Sequence, residues 1–250
     1  MPVRPSAGVC EVVLFSAQHT GTLTDLAVDK MAQLVRVWRD RYEELAARPE
    51  IEYVFIFENK GEAIGVTIPH PHGQIYAFPF KPPRVQRELD NEGEHFGKTG
   101  RCLHCDIIEA EREDGGRIVA DTDQFIAFIP FYARLPYEVH VYAKSHTPSM
   151  AEFSPEQEMD LALMLKTVLE KYDNLWQRSL PYMMVMHQKP TDGKEWPGAH
   201  FHIEFYPPYR TPDKLKYLAG CETGAGTFVN DTLPEEKAKE LREAKTTVGA

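Results

Sequence analysis

The chain of 250 residues is poor in several things, and each shortage excludes something. Four cysteines are too few and too scattered for a disulfide framework. No apolar run approaches the roughly 20 residues that a membrane-spanning helix needs. The opening segment, MPVRPSAGVCEVV, has no basic stretch followed by an apolar one, so no secretory leader is expected, and a cytoplasmic location is. Positive charge is in deficit: 28 basic against 38 acidic residues give a net charge of −10, which argues against non-specific nucleic-acid binding. That deficit leaves anionic substrates open, because a few local groups decide binding inside a cleft. With 42% hydrophobic residues the chain can build a core, and disorder is excluded as a description of the whole.

What is present is a pattern that occurs twice. Residues 9–16 read as a strand that ends near His19. Residues 24–47 read as an amphipathic helix, with Leu26, Met31, Leu34, Val35, Trp38, Tyr42 and Leu45 at three- and four-residue spacings. A strand over 51–58, a turn at Asn59-Lys60-Gly61 and a strand from His70 follow. Residues 81–100 read as a polar connector with at most a short helix. Strands are expected at 118–119, 125–130 and 138–144, the last ending at His146. A second amphipathic helix over 154–177 opens on the capping box Ser154-Pro155-Glu156-Gln157. Strands over 181–187 and from His200, a Gly-rich loop over 220–226 and a short charged helix from Pro234 complete the chain. The order strand, His, long helix, strand, His-x-His strand therefore repeats. VVLFSAQHTGTL parallels VHVYAKSHTPSM, and HPHGQIYAFPF parallels HFHIEFYPPY. The fold class this implies is α+β, built as a duplicated unit of antiparallel strands with a long helix.

Two chemical signals stand out. Residues two apart on a strand share a face, so His70, His72 and Gln74 line one face and His200, His202 and Glu204 another. A histidine so placed can ligate a metal, move a proton, or attack phosphorus as a nucleophile. Pro71 removes a ladder donor and marks an edge or a cleft rim. Cys102 and Cys105 form a C-x-x-C knuckle upstream of His146 and His200, a Cys₂His₂ set suited to tetrahedral zinc. No thioredoxin-like context supports a redox reading. His95, His104 and His140 read as ordinary polar residues, with His104 exposed inside the knuckle.

The run FENKGEAIG, HPHGQ and IYAFPF, continued by SAQHTGTL, PYEVHVYAKSH, HFHIEFYPP and KYLAGCETGAG, resembles the galactose-1-phosphate uridylyltransferase family of the histidine-triad (HIT) superfamily. The resemblance implies two HIT-like units, at 1–96 and 97–250. It implies that His72 is the nucleophile that takes UMP from UDP-glucose and passes it to galactose 1-phosphate, and that Gln74 holds the phosphoryl oxygens. It places Asn59, Gly65 and Thr67 on the nucleotide, and Lys216, Tyr217 and Glu222 on the hexose phosphate, in a segment that reaches the partner subunit of a homodimer. The family often has Cys-Ser where this chain has Val66-Thr67, which keeps a hydroxyl and loses a thiol. Zinc is the implied cofactor, on Cys102, Cys105, His146 and His200. His19 and His70 would ligate a second zinc completed by an upstream C-x-x-C. The spacing of the second unit would put those cysteines ahead of Met1, so the first unit is expected to be N-terminally incomplete. Certain relatives bind iron through a Glu and three His matching Glu88, His187, His202 and, here, Glu204. Two alternatives remain: a related phosphorylase or hydrolase acting on ADP-sugars or dinucleoside polyphosphates, or a fragment inactive without an N-terminal partner.

Overall fold

The computed structural model describes residues 7–248. Eight strands form one antiparallel sheet: β1 (Val9–Leu14), β2 (Tyr53–Lys60), β3 (His72–Phe78), β4 (Ile118–Asp121), β5 (Phe125–Phe128), β6 (Val139–Ala143), β7 (Tyr182–His187) and β8 (His202–Tyr206). Their spatial order is β1-β3-β2-β7-β8-β6-β5-β4. The two repeats are thus read outward from a central seam, where β2 of the first pairs with β7 of the second. A small hairpin, β9 (Tyr209–Thr211) and β10 (Lys214–Leu215), stands apart from this sheet.

The long helices α1 (Val28–Ala46) and α4 (Pro155–Leu175) pack side by side on one face of the sheet. Each places its apolar stripe against alternate strand residues: Leu34, Val35 and Trp38 from α1, Leu161, Leu165 and Val168 from α4, with Ile56, Ile75 and Met184 from the strands. One core spans both repeats. Burying a side chain of this size contributes about 1.5–3 kcal/mol, so the shared core joins the halves. Arg39 of α1 forms an ion pair with the buried Glu158 of α4. At the start of α4 the Ser154 hydroxyl accepts from the Gln157 backbone and Gln157 returns the bond, the capping box expected from the sequence.

The opposite face differs between the halves. Among the described residues the first repeat leaves it open at β1 and β3, where Val12 and Leu14 are exposed. In the second it is covered by α2 (Pro83–Thr99) and α3 (Leu103–Asp114). Here the structure corrects the reading of 81–100 as a connector. Only Val85, Leu89 and Glu92 of α2 are buried, so the apolar periodicity is too thin to see, and Pro-Pro looks like a breaker. Those prolines fall at the N-cap and first helical positions, where a missing N–H costs nothing. The last helix, α5 (Pro234–Glu243), starts at the expected residue. Among the described residues, no helix is long and apolar enough to cross a membrane.

Candidate active site and metal centres

His72 and Gln74 open β3 on the uncovered face, flanked across the strand pair by Leu14 and Val12 of β1. The His72 ring donates from Nδ1 to the His70 carbonyl at 2.7 Å. That bond fixes the tautomer and leaves the Nε2 lone pair for chemistry. The Gln74 carbonyl oxygen accepts from the Tyr76 hydroxyl at 3.1 Å, so its amide nitrogen is the end left to donate. Tyr76 was not singled out by the sequence. Its place two residues beyond Gln74 on the same strand face is the signal that could have found it.

Gly73 between them is set by close approach. A Cβ there would lie 2.9 Å from the Phe15 ring and 3.2 Å from the Phe57 carbonyl oxygen. The loop from Gly61 to Ile68 folds beside this strand. Its short helical turn ends at Gly65, in the left-handed region at φ 87°. A cleft of about 190 Å³ is lined by Asn59, Gly65, Thr67, His72 and Gln74, bringing together five residues named from the sequence. A larger cleft of about 420 Å³ adjoins it and shares Asn59, Thr67 and His72.

The buried Glu58 also lines the larger cleft. Burial pushes its carboxyl up to about 8, against the Tyr182 hydroxyl that donates to it at 2.9 Å and the charge of Lys60. Lys216, Tyr217 and Glu222 line neither cleft. They lie in the C-terminal segment, where Lys216 Nζ is 3.6 Å from Glu222 and donates to the Val229 carbonyl, while Tyr217 is 75% exposed.

Cys102, Cys105, His146 and His200 converge, with their ligand atoms within 4.8 Å of one another. His200 Nε2 donates to the Ala143 carbonyl at 2.7 Å, which turns Nδ1 toward the sulfurs at 3.5 and 3.6 Å. His146 Nδ1 is 3.9 Å from the Cys105 sulfur. Ligands about 2.3 Å (S) and 2.0 Å (N) from a tetrahedral zinc lie roughly 3.5 Å apart, so the set fits zinc. Hydrogen bonding between the thiols, helped by burial, pushes Cys102 up to about 12, and the same bond pulls Cys105 down. The first repeat reproduces half of this. His70 Nε2 donates to the Ser16 carbonyl at 3.0 Å, and its Nδ1 faces His19 Nδ1 at 3.3 Å. Among the described residues these two join no group of three or more potential ligands.

His104 is a correction. The sequence placed it exposed in the knuckle, but it is 5% exposed, because α3 begins at Leu103 and turns its ring under the sheet against His202. His140 is likewise buried, and bonded to Glu138 and Tyr142. Glu88, His187 and His202 do form a group. Glu88 accepts from His187 at 2.7 Å. Burial alone would raise its carboxyl, but His187 and His202 prevail and hold it at about 2. Glu204 stands beside them, its oxygens 3.7 Å from His187 and 3.9 Å from His202, and accepts from Arg84 at 2.8 Å.

Models of the galactose-1-phosphate uridyl transferase N-terminal and C-terminal domains match residues 1–82 and 88–248. A galactose-1-phosphate uridylyltransferase of Thermotoga maritima is 42% identical over 244 residues, covering 97% of this chain and 76% of the relative. A solved uridylyltransferase superposes with a TM-score of 0.89 at 38% identity, over 94% of this chain and 75% of that one. An ADP-glucose phosphorylase from Arabidopsis thaliana with bound ADP-glucose gives 0.85 at 26% identity, over 95% and 74%. The chain belongs to the galactose-1-phosphate uridylyltransferase family.

Proposed function

We propose that the protein transfers a uridylyl group between UDP-glucose and galactose 1-phosphate through a covalent His72 intermediate. The observation that carries this is the Nδ1 bond of His72 to the His70 carbonyl, in a cleft shared with Gln74, Asn59 and Thr67. Nε2 attacks the uridylyl phosphorus, and the bond to the glucose 1-phosphate oxygen breaks with its electrons. The phosphate oxygen of galactose 1-phosphate then attacks the same phosphorus and returns the electron pair to Nε2. Gln74 donates to the phosphoryl oxygens as charge builds on them. Two displacements replace one direct transfer between anions.

Cys102, Cys105, His146 and His200 would hold zinc, which when bound supplies a rigid cross-link between α3, the end of β6 and the start of β8. Thiolate ligands need a reducing compartment, in keeping with a cytoplasmic enzyme. Lys216, Tyr217 and Glu222 would reach the hexose phosphate in the cleft of a partner subunit of a homodimer. The exposure of Tyr217, and the fact that none of the three lines this chain's own two clefts, support that reading.

The test is incubation with UDP-glucose carrying label on the uridylyl phosphorus and no acceptor. A stable, acid-labile adduct on His72 and one equivalent of glucose 1-phosphate are expected, with none in His72→Ala. No adduct from UDP-glucose, but one from ADP-glucose, would move the reading to the phosphorylase branch of the same chemistry.

A further inference from the structure

The second repeat buries a polar cluster that uridylyl transfer does not use. Its strand β8 carries His202 where β3 carries His72, and the His202 ring also donates from Nδ1 to the carbonyl two residues back, at 3.0 Å. There α2 and α3 close over the strand. Glu88 and Glu92 lie one turn apart on α2, and His104 sits in the first turn of α3. On one side of Glu88, its oxygens lie 2.7 Å from His187 and 3.4 Å from His202. On the other, Glu92 Oε1 lies 2.7 Å from His104 Nε2. Glu92 and His104 are 3% and 5% exposed.

Two atoms of this second side have no hydrogen-bond partner among the described residues, Glu92 Oε2 and His104 Nδ1. The ion-pair partner of Glu92 is the imidazole of His104, not a Lys or Arg. A buried polar atom left without a partner is costly, and the described residues supply none for these two. Potential ligand atoms of Glu88, Glu92 and His104 nonetheless lie within 4.8 Å of one another, close to the spread of ligands around one ion with bonds near 2.1 Å.

We propose that Glu88, Glu92 and His104 hold a divalent cation of the manganese or ferrous class. This position is distinct from the one Glu88 shares with His187 and His202, so the Glu88 carboxylate bridges two cations. Two carboxylates and an imidazole suit such ions better than the thiolate set does, which selects zinc. When the cation enters, the proton shared between His104 and Glu92 leaves to solvent, and the ion takes its place. His104 belongs to the C-x-x-C turn, so the zinc knuckle orients this ligand as well as its own.

The test is titration of the zinc-loaded protein with Mn(II), counting bound ions from the loss of the free-ion paramagnetic resonance signal. Two tightly bound Mn(II) per chain are expected. Glu92→Gln and His104→Gln should each leave one, and His187→Gln should also leave one. Glu92→Gln keeps the side-chain shape, and an unchanged thermal melt of the metal-free form shows that it folds. One Mn(II) or none in the unaltered protein, or two retained in Glu92→Gln and His104→Gln, would overturn the proposal. Labelling of His72 is read separately, so failure here leaves the transferase reading untouched.

Discussion

The His72 ring is locked to the carbonyl of His70 by a 2.7 Å bond, and the neighbouring Gln74 is locked to Tyr76 by one of 3.1 Å. The two side chains are thus each aimed by a partner two residues away, His72 by His70 just ahead of β3 and Gln74 by Tyr76 within it. Both settings survive only if the strand keeps its register against β1 and β2.

The aim of Gln74 is open to a direct check. Tyr76→Phe removes the hydroxyl and frees the amide to rotate. It should lower kcat about ten-fold with little change in the melting temperature, while Gln74→Ala should cost roughly 10²–10³ in kcat. Single-turnover adduct formation measures both. Equal rates for Tyr76→Phe and the unaltered protein would remove Tyr76 from the site.

Gly73→Ala tests the close approach. Its Cβ would press on the Phe15 ring and the Phe57 carbonyl, at 2.9 and 3.2 Å. The ring can yield but the backbone cannot, so the His72–Gln74 segment should shift. Overpacking of this kind costs about 1–3 kcal/mol. We expect a lower melting temperature together with an adduct rate reduced by more than ten-fold. A variant with unchanged rate and stability would show that the strand has slack.

Glu58 predicts a pH effect. Its carboxyl titrates near 8 when folded, against about 4.5 in the unfolded chain. Between these values the folded state holds a proton that the unfolded state has lost. The stability it contributes is therefore fully present below about pH 4.5 and is lost as pH rises through about 8. At about 1.4 kcal/mol per unit, the change is a few kcal/mol. Glu58→Gln should flatten that fall, as measured by urea unfolding between pH 5 and 9, and an identical slope in the variant would refute it.

Cys105→Ser should remove one equivalent of zinc per chain by elemental analysis and lower the melting temperature. A chelator should reproduce the loss in the unaltered protein and add nothing in the variant. Full zinc content in Cys105→Ser would show that the ion binds elsewhere.

Much of the fold was legible because local rules and tertiary needs agreed. The stripe from Leu26 to Leu45 and the box at Ser154 name their helices, and α1 and α4 follow. Strand alternation places His72 and Gln74 of the HPHGQ run on one face, but β3 begins at His72, and His70 ahead of it turns to the Ser16 carbonyl instead. The helix α2 was illegible for the opposite reason. It buries a polar residue, Glu92, together with only two apolar ones, so its inward face is chosen by the cluster it covers and not by apolarity. His104 was misread on the same ground. A histidine between the two cysteines of a C-x-x-C looks solvated until α3 is seen to turn it inward.

The sequence by itself determined the duplication, the strand that carries His72 and Gln74, and the Cys₂His₂ set, because each is written in residue types and motifs that can be read off the chain. Only the tertiary structure decided that both repeats share one sheet across the β2–β7 seam. It alone paired Glu204 with Arg84, and it alone brought Glu92 and His104 together beneath β8. Those outcomes rest on packing between separate elements, where desolvation and charge compensation, rather than periodicity, select the partner.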